Sequence, residues 1–438
     1  MSLTKLTKAC ITLFVAVSIG LGSLSITSDD AFAKSRRYEH LRLFKEVMEI
    51  VKKNYVKEVT DKELIEGAIN GMLQSLDPHS SFLSEDHFKE LQVETRGEFG
   101  GLGIEITLDK GILTIVSPIE DTPADRVGLK AGDRIVKIDG DSTKNISLMD
   151  AVKKMRGEPG TKVTLTIMRE GFTKFKDFEI TRAVIHVHSV KKQLLEDGYP
   201  YIRIVNFQES TQTDLVAALK EFGGNKSIKG LILDLRNNPG GLLDQAVKVS
   251  DLFIDQGLIV YTDGRVEEQR MNFRATSKKR EFDLKMAVLI NEGSASASEI
   301  VAGAMQDHNR ALIFGTKSFG KASVQTIIPL ENGSGLRLTT AYYFTPAGTN
   351  IQKTGIKPDV SLKKELEKQA EEKRLEELKS GKKEKPKWTR SRKVDPKKDL
   401  VVGRALEWLK SDVTVQQFKL EHQEPIPDTA LMIRKGPR

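Results

Sequence analysis

The feature that most constrains this chain is the run Met286-Ala-Val-Leu-Ile-Asn291, followed by Glu-Gly-Ser-Ala-Ser-Ala-Ser-Glu299 and then by Ile300-Val-Ala-Gly-Ala-Met305. The first part is short and apolar without alternation, the pattern of a buried strand. The last part is apolar at helical spacing. The small residues between them must make a sharp strand-to-helix turn. Such a turn holds a hydroxyl exposed beside the backbone N–H groups of a helix N-terminus. Ser294, Ser296 and Ser298 compete for that place. Ser296 and Glu299 also satisfy the Ser-x-x-Glu capping box, so simple helix capping competes with chemistry here.

A second segment shifts the balance. Gly315-Thr-Lys-Ser-Phe-Gly-Lys321-Ala-Ser-Val-Gln325 carries a glycine-flanked lysine with a glutamine four residues on. A serine hydroxyl needs a base before it is a useful nucleophile. A lysine at its ordinary pKa of about 10.4 is protonated and cannot serve. Burial among apolar groups lowers that pKa, and Phe319, Ala322 and Val324 surround Lys321 in sequence. A glutamine carbonyl can orient the amine without adding a negative charge. For positions 321 and 325 to meet, the backbone must turn, because four strand residues span roughly 13 Å.

Gly293-Ser-Ala-Ser-Ala-Ser-Glu299 and Phe319-Gly-Lys-Ala-Ser-Val-Gln325 together resemble the carboxyl-terminal processing, or tail-specific, proteases. The resemblance implies that Ser296 is the nucleophile, Lys321 the general base and Gln325 the residue that orients the lysine. It also implies that the loop after Lys229-Gly-Leu-Ile-Leu-Asp-Leu-Arg236, ending Pro239-Gly-Gly241, supplies an oxyanion donor. Gly241 N–H, paired with Ala297 N–H, is then the expected oxyanion hole.

The rest of the 438 residues fits several domains. Residues 1–33 have the form of a signal peptide: Lys5 and Lys8, an apolar run from Ala9 to Leu24, and Ala31-Phe-Ala33. Either cleavage or retention as an anchor is compatible with that run, and both make the protein exported, to the periplasm or the outer face of the membrane. Cys10 is the only cysteine, so the mature chain has no disulfide and no thiolate metal site. No metal or cofactor is expected.

Residues 34–96 are expected to be helical, with Leu41, Phe44, Val47, Met48 and Val51 on one face. Residues 97–184 resemble a PDZ domain, β-rich and inserted ahead of the core. There Gly101-Leu-Gly103 would hold a terminal carboxylate on backbone N–H groups. Leu102, Ile104 and Ile106, with Val152 opposite, would line an apolar pocket, and the strand from Ile104 would pair with the bound tail. Arg156, at the end of the helix from Leu148, is a candidate for carrying a regulatory signal to the core. Residues 185–362 are expected to form an α/β (α+β) protease core. Residues 363–398 are a charged helix and linker, and 399–438 a last helix and tail.

The net charge of +8 is localised. Residues 363–398 hold fifteen basic and eight acidic side chains, a difference of +7. The high pI therefore reports a linker, and no nucleic-acid-binding face is expected. The linker suits weak contact with an anionic membrane surface or cell-wall polymer. By resemblance alone, the helical end segments suggest self-association as a homodimer.

The expected function is hydrolysis of peptide bonds near the C-termini of exported proteins, after capture of the tail. Two alternatives come from other classes. A penicillin-binding-type acyl enzyme would use Ser318-Phe-Gly-Lys321 and Lys353-Thr-Gly355, but Gly320 breaks the helix such a serine requires. A non-catalytic adaptor that only binds tails would lack Ser296, Lys321 or Gln325, and all three are present.

Overall fold

The computed structural model describes residues 38–119, 121–169, 171–276, 280–380 and 393–421. The expected export segment, 1–33, and the basic stretch 381–392 lie outside them. No helix among the described residues is long and apolar enough to cross a membrane. The chain divides into two compact units, one ending at Phe82 and one beginning at Leu83.

The first unit is helical, as expected. A helix over 38–54 is followed by the helix Asp61–Gln74. The second opens with a full capping box, Thr60 accepting from Glu63 N and Glu63 accepting from Thr60 N. The apolar positions Leu41, Phe44 and Val47 of the first helix are exposed.

In the second unit the core is a six-stranded sheet. Its spatial order is Val190–Glu196, Tyr199–Ile204, Gly230–Asp234, Lys285–Ile290, Leu312–Gly315 and Val360–Ser361. The first pair is antiparallel and all others are parallel. The continuous apolar runs of these strands follow from burial on both faces. Successive side chains point to opposite faces, and the core divides accordingly. Leu231, Leu233, Met286, Val288 and Ile290 pack with the helices Thr211–Glu221, Leu243–Asp251 and Ala297–Asp307. Ile232, Ala287 and Leu289 pack on the other face with Val401, Val402, Ala405 and Leu406 of the helix Leu400–Lys410.

A second, antiparallel sheet carries Leu258–Gly264, Asn272–Arg274, Ser323–Pro329 and Gly335–Phe344.

The inserted β-rich domain has its own core around Leu113, Ile115, Ile135, Leu165 and Ile167. Its entry and exit strands, Glu98–Gly101 and Ala183–His186, pair antiparallel and form the stem of the insertion. Gly101 pairs with Ala183 inside that stem, so only Leu102 and Gly103 remain as loop. Leu102 does not line an open pocket, because its side chain is 2% exposed within the domain core. Ile104, Ile106 and Val152 are half-buried. The strand Ile104–Asp109 lies at the edge of its sheet.

Candidate active site

The strand Lys285–Ile290 ends where the turn begins, and the helix starts at Ala297. Ser294 and Ser298 are both fully buried. The Ser294 hydroxyl donates to Leu235 O (2.8 Å) and that of Ser298 to Asn238 O (3.0 Å). Those two serines are used to fasten the turn to the neighbouring strand end. Ser296 differs: it is half-buried, lines a cleft of about 880 Å³, and has φ 54° and ψ −115°. A non-glycine residue in that conformation stores roughly 1–3 kcal/mol of strain, which the fastened neighbours hold in place. Its hydroxyl does not cap the helix.

Gly240 makes this geometry fit. With φ +106°, it sits so close that a Cβ would lie 2.8 Å from Ser296 Cβ. Gly241 is equally constrained, its would-be Cβ 2.2 Å from Phe207 O. Gly241 and Ala297 both line the cleft. Ala297 is the first helical residue, so its N–H has no intrahelical acceptor.

Lys321 lines the same cleft. Its loop is joined to the serine turn by one carboxylate that sequence reasoning treated only as a cap. Glu299 is fully buried. Its Oε2 accepts from Ser296 N and Lys321 N, both at 2.9 Å, and its Oε1 from Gly320 N (2.7 Å) and the Ser318 hydroxyl (2.5 Å). Burial pushes this carboxyl above its usual range, against the pull of the four hydrogen bonds. Ser318 is also bonded by Ile356 N at 2.6 Å and is buried. It is therefore a structural hydroxyl, which removes the penicillin-binding-type alternative.

Tyr343 is a second residue the sequence did not mark. Its buried hydroxyl donates to Lys321 O and lies near the Ser296 side chain. Burial, then the nearby Glu299 charge, raises the phenol well above its usual value, so it stays neutral.

Gln325 lies on the strand Ser323–Pro329, just past a register shift between Val324 and Gln325. The Gln325 amide donates to Thr339 Oγ1 (2.7 Å) and Ser323 Oγ (3.3 Å). Its Oε1 is buried without a hydrogen-bond partner, so in this state it is not bonded to Lys321.

The far wall of the cleft is the helix Glu85–Arg96, through Phe88, Leu91 and Thr95. Arg156 reaches this helix: its Nη1 donates to Glu90 Oε2 at 2.6 Å and its guanidinium lies 4.4 Å from the Phe99 ring centre. Asp234 and Arg236 lie away from the chemistry. Arg236 pairs with Asp234 and with Asp399, the N-cap of the last buried helix.

Three family models match the chain: peptidase family S41 over residues 198–362, a PDZ domain over 90–168, and the activating protease CtpB N-terminal domain over 21–87. A carboxy-terminal-processing protease of Bartonella bacilliformis is 45% identical over 418 residues, covering 92% of this chain and 95% of its own. The carboxy-terminal processing protease CtpA of Bacillus subtilis is 35% identical, covering 82% of this chain and 75% of its own.

Proposed function

Because this chain belongs to peptidase family S41, among the carboxy-terminal-processing proteases with a PDZ domain, we propose that it cuts exported proteins near their C-termini with Ser296 as nucleophile and Lys321 as general base. In this mechanism the Lys321 amine takes the proton as Ser296 Oγ attacks the scissile carbonyl. The oxyanion that forms is received by the N–H groups of Gly241 and Ala297. Lys321 then returns the proton to the leaving amine as the C–N bond breaks, leaving an ester on Ser296. Water, deprotonated by Lys321, attacks the ester, and the serine is released with its proton. Each oxyanion donor is worth about a hundredfold or more in rate. Gln325 Oε1 is the acceptor that orients the amine once substrate has closed the site.

The observation that carries this reading is the division of labour among the serines. Ser294 and Ser298 are spent on main-chain carbonyls, while Ser296 is on the cleft, strained, and tied through Glu299 to the loop of Lys321. Ser296→Ala and Lys321→Ala should each lose at least about a thousandfold in kcat on a tailed substrate while still binding its tail. Full activity in either variant removes the proposed dyad.

For tail capture, the edge strand Ile104–Asp109 is open to a pairing peptide. The Arg156–Glu90 pair supports a link from the PDZ domain to the cleft helix. The basic start and apolar run of residues 1–33 support export. The exposed apolar face of the helix over 38–54 supports self-association, and the basic linker supports weak contact with anionic surfaces.

A further inference from the structure

The cleft floor is one face of the hairpin formed by Ser323–Pro329 and Gly335–Phe344. Past the register shift, Gln325 pairs with Thr339 and Ile327 with Arg337. Side chains two apart share a face, so Arg337 and Thr339 stand together on the Gln325 side of the hairpin; the extra residue at Thr340 breaks the alternation before Tyr343. Tyr343 marks the nucleophile end. Arg337 is about 20 Å along the strand from Tyr343, at ~3.3 Å per residue, and next in the row beyond Thr339, which holds the Gln325 amide.

Arg337 is half-buried on this floor, and its Nε is buried with no hydrogen-bond partner. No ion pair among the described residues involves it. A guanidinium keeps its charge and presents donors in a fork that fits a carboxylate, so a buried, unpaired Nε–H is an unfilled position. The acidic residues of the cleft, Glu94 and Glu209, are exposed. Two other unpartnered buried atoms on the cleft, Asn206 Oδ1 and Gln325 Oε1, are acceptors. Those suit N–H groups of a bound chain or the Lys321 amine. The arginine asks for an anion.

We propose that Arg337 forms a carboxylate subsite: it receives an Asp or Glu side chain, or the free C-terminus, of the bound chain about four to six residues from the scissile bond on extended-strand rise. This rests on the reading of the cleft as the proteolytic site. It assigns a selectivity to the cleft itself, separate from capture of the tail on the inserted domain.

The test is a walk of a single Asp, against Asn, through each position of a quenched fluorescent peptide on both sides of the cut. Every peptide is made with a free and with an amidated C-terminus. The wild-type protein should favour Asp over Asn at one position, or the free over the amidated end, on the order of tenfold in kcat/KM. Arg337→Gln should abolish that ratio while still cutting the Asn peptide, and Arg337→Lys should keep part of it, as a point charge would. The arm that responds identifies the source of the carboxylate. Absence of any preference in wild type, or a preference that survives Arg337→Gln, overturns the subsite. A free-end preference that survives belongs to the PDZ domain. Wild-type ratios alone decide the matter if both variants fail to fold. Cleavage undiminished in Ser296→Ala overturns the reading of the site, and the subsite with it. If Ser296→Ala is inactive but the ratios are flat, the subsite alone is wrong.

Discussion

At the scale of single residues the site depends on one carboxylate meeting four donors. Three are backbone N–H groups and one a hydroxyl, so only an acceptor-only group satisfies all of them. In Glu299→Gln the amide must turn its NH₂ toward at least one of those donors. The variant should lose about 1–3 kcal/mol of stability and on the order of tenfold or more in kcat, with KM little changed, because the serine turn and the lysine loop both rest on this side chain. Denaturation against pH adds a signed check. The folded carboxyl titrates above the usual 4.5, chiefly through burial, so the native state holds its proton where the unfolded chain has released it. Wild-type stability should therefore fall as pH rises from about 4.5 to the raised folded value and then level. Glu299→Gln should lack that step. Tyr343→Phe is the milder companion. It removes the hydroxyl that donates to Lys321 O near Ser296 and should cost roughly tenfold in kcat, equivalent to about 1.4 kcal/mol, with thermal stability lowered only slightly.

At the scale of elements, the parallel strands were legible because burial on both faces leaves unbroken apolar runs. The apolar run Met286–Asn291 is found as the strand Lys285–Ile290, and the apolar stretch before the Pro239-Gly-Gly241 loop as Gly230–Asp234. The register of the hairpin behind Gln325 was not legible. Whether Arg337 or Leu338 faces the cleft depends on the irregularity at Val324/Gln325, and a one-residue slip flips every side chain. The cleft helix Glu85–Arg96 has few apolar residues and none that is fully buried, so nothing in its pattern pointed to a site wall. Glu299 was hidden for another reason: a Ser-x-x-Glu that organises two loops is spelled like an ordinary cap. The glycine loop after Gly230–Asp234 was visible, but it is Gly240 that packs against the serine turn, while Gly241 packs against Phe207. Gly240→Ala combines a positive φ with a Cβ 2.8 Å from Ser296 Cβ. Circular dichroism should stay native, while kcat falls by about a hundredfold or more as the serine turn is displaced.

At the scale of the whole chain, the last helix completes the core from a great distance in sequence. Leu400–Lys410 covers the sheet face made by Ile232, Ala287, Leu289 and Leu312, reached across the charged segment that follows Leu362. What fixes its start is Asp399. This residue caps the helix by accepting from Val402 N (3.2 Å), and its two oxygens take Arg236 Nη1 and Nη2 at 3.0 and 2.8 Å. Arg236 in turn is held by Asp234, which also accepts from the Tyr201 hydroxyl at 2.6 Å. The end of the strand that feeds the Pro239-Gly-Gly241 loop and the helix behind the sheet thus share one guanidinium. Burial alone would raise the Asp399 carboxyl, but the Arg236 hydrogen bonds outweigh it and hold the group below its usual value. Its contribution is then fully present above the unfolded value of about 3.8 and is lost as pH falls through the lower folded value. Asp399→Ala removes a helix cap and half of a partly buried ion pair, while Asp234 still neutralises Arg236. The expected loss is about 2–3 kcal/mol, a drop of several degrees in Tm for a domain of this size. Near pH 3 the gap between Asp399→Ala and wild type should narrow. A gap that stays constant down to that pH would mean the helix is held by its apolar face alone.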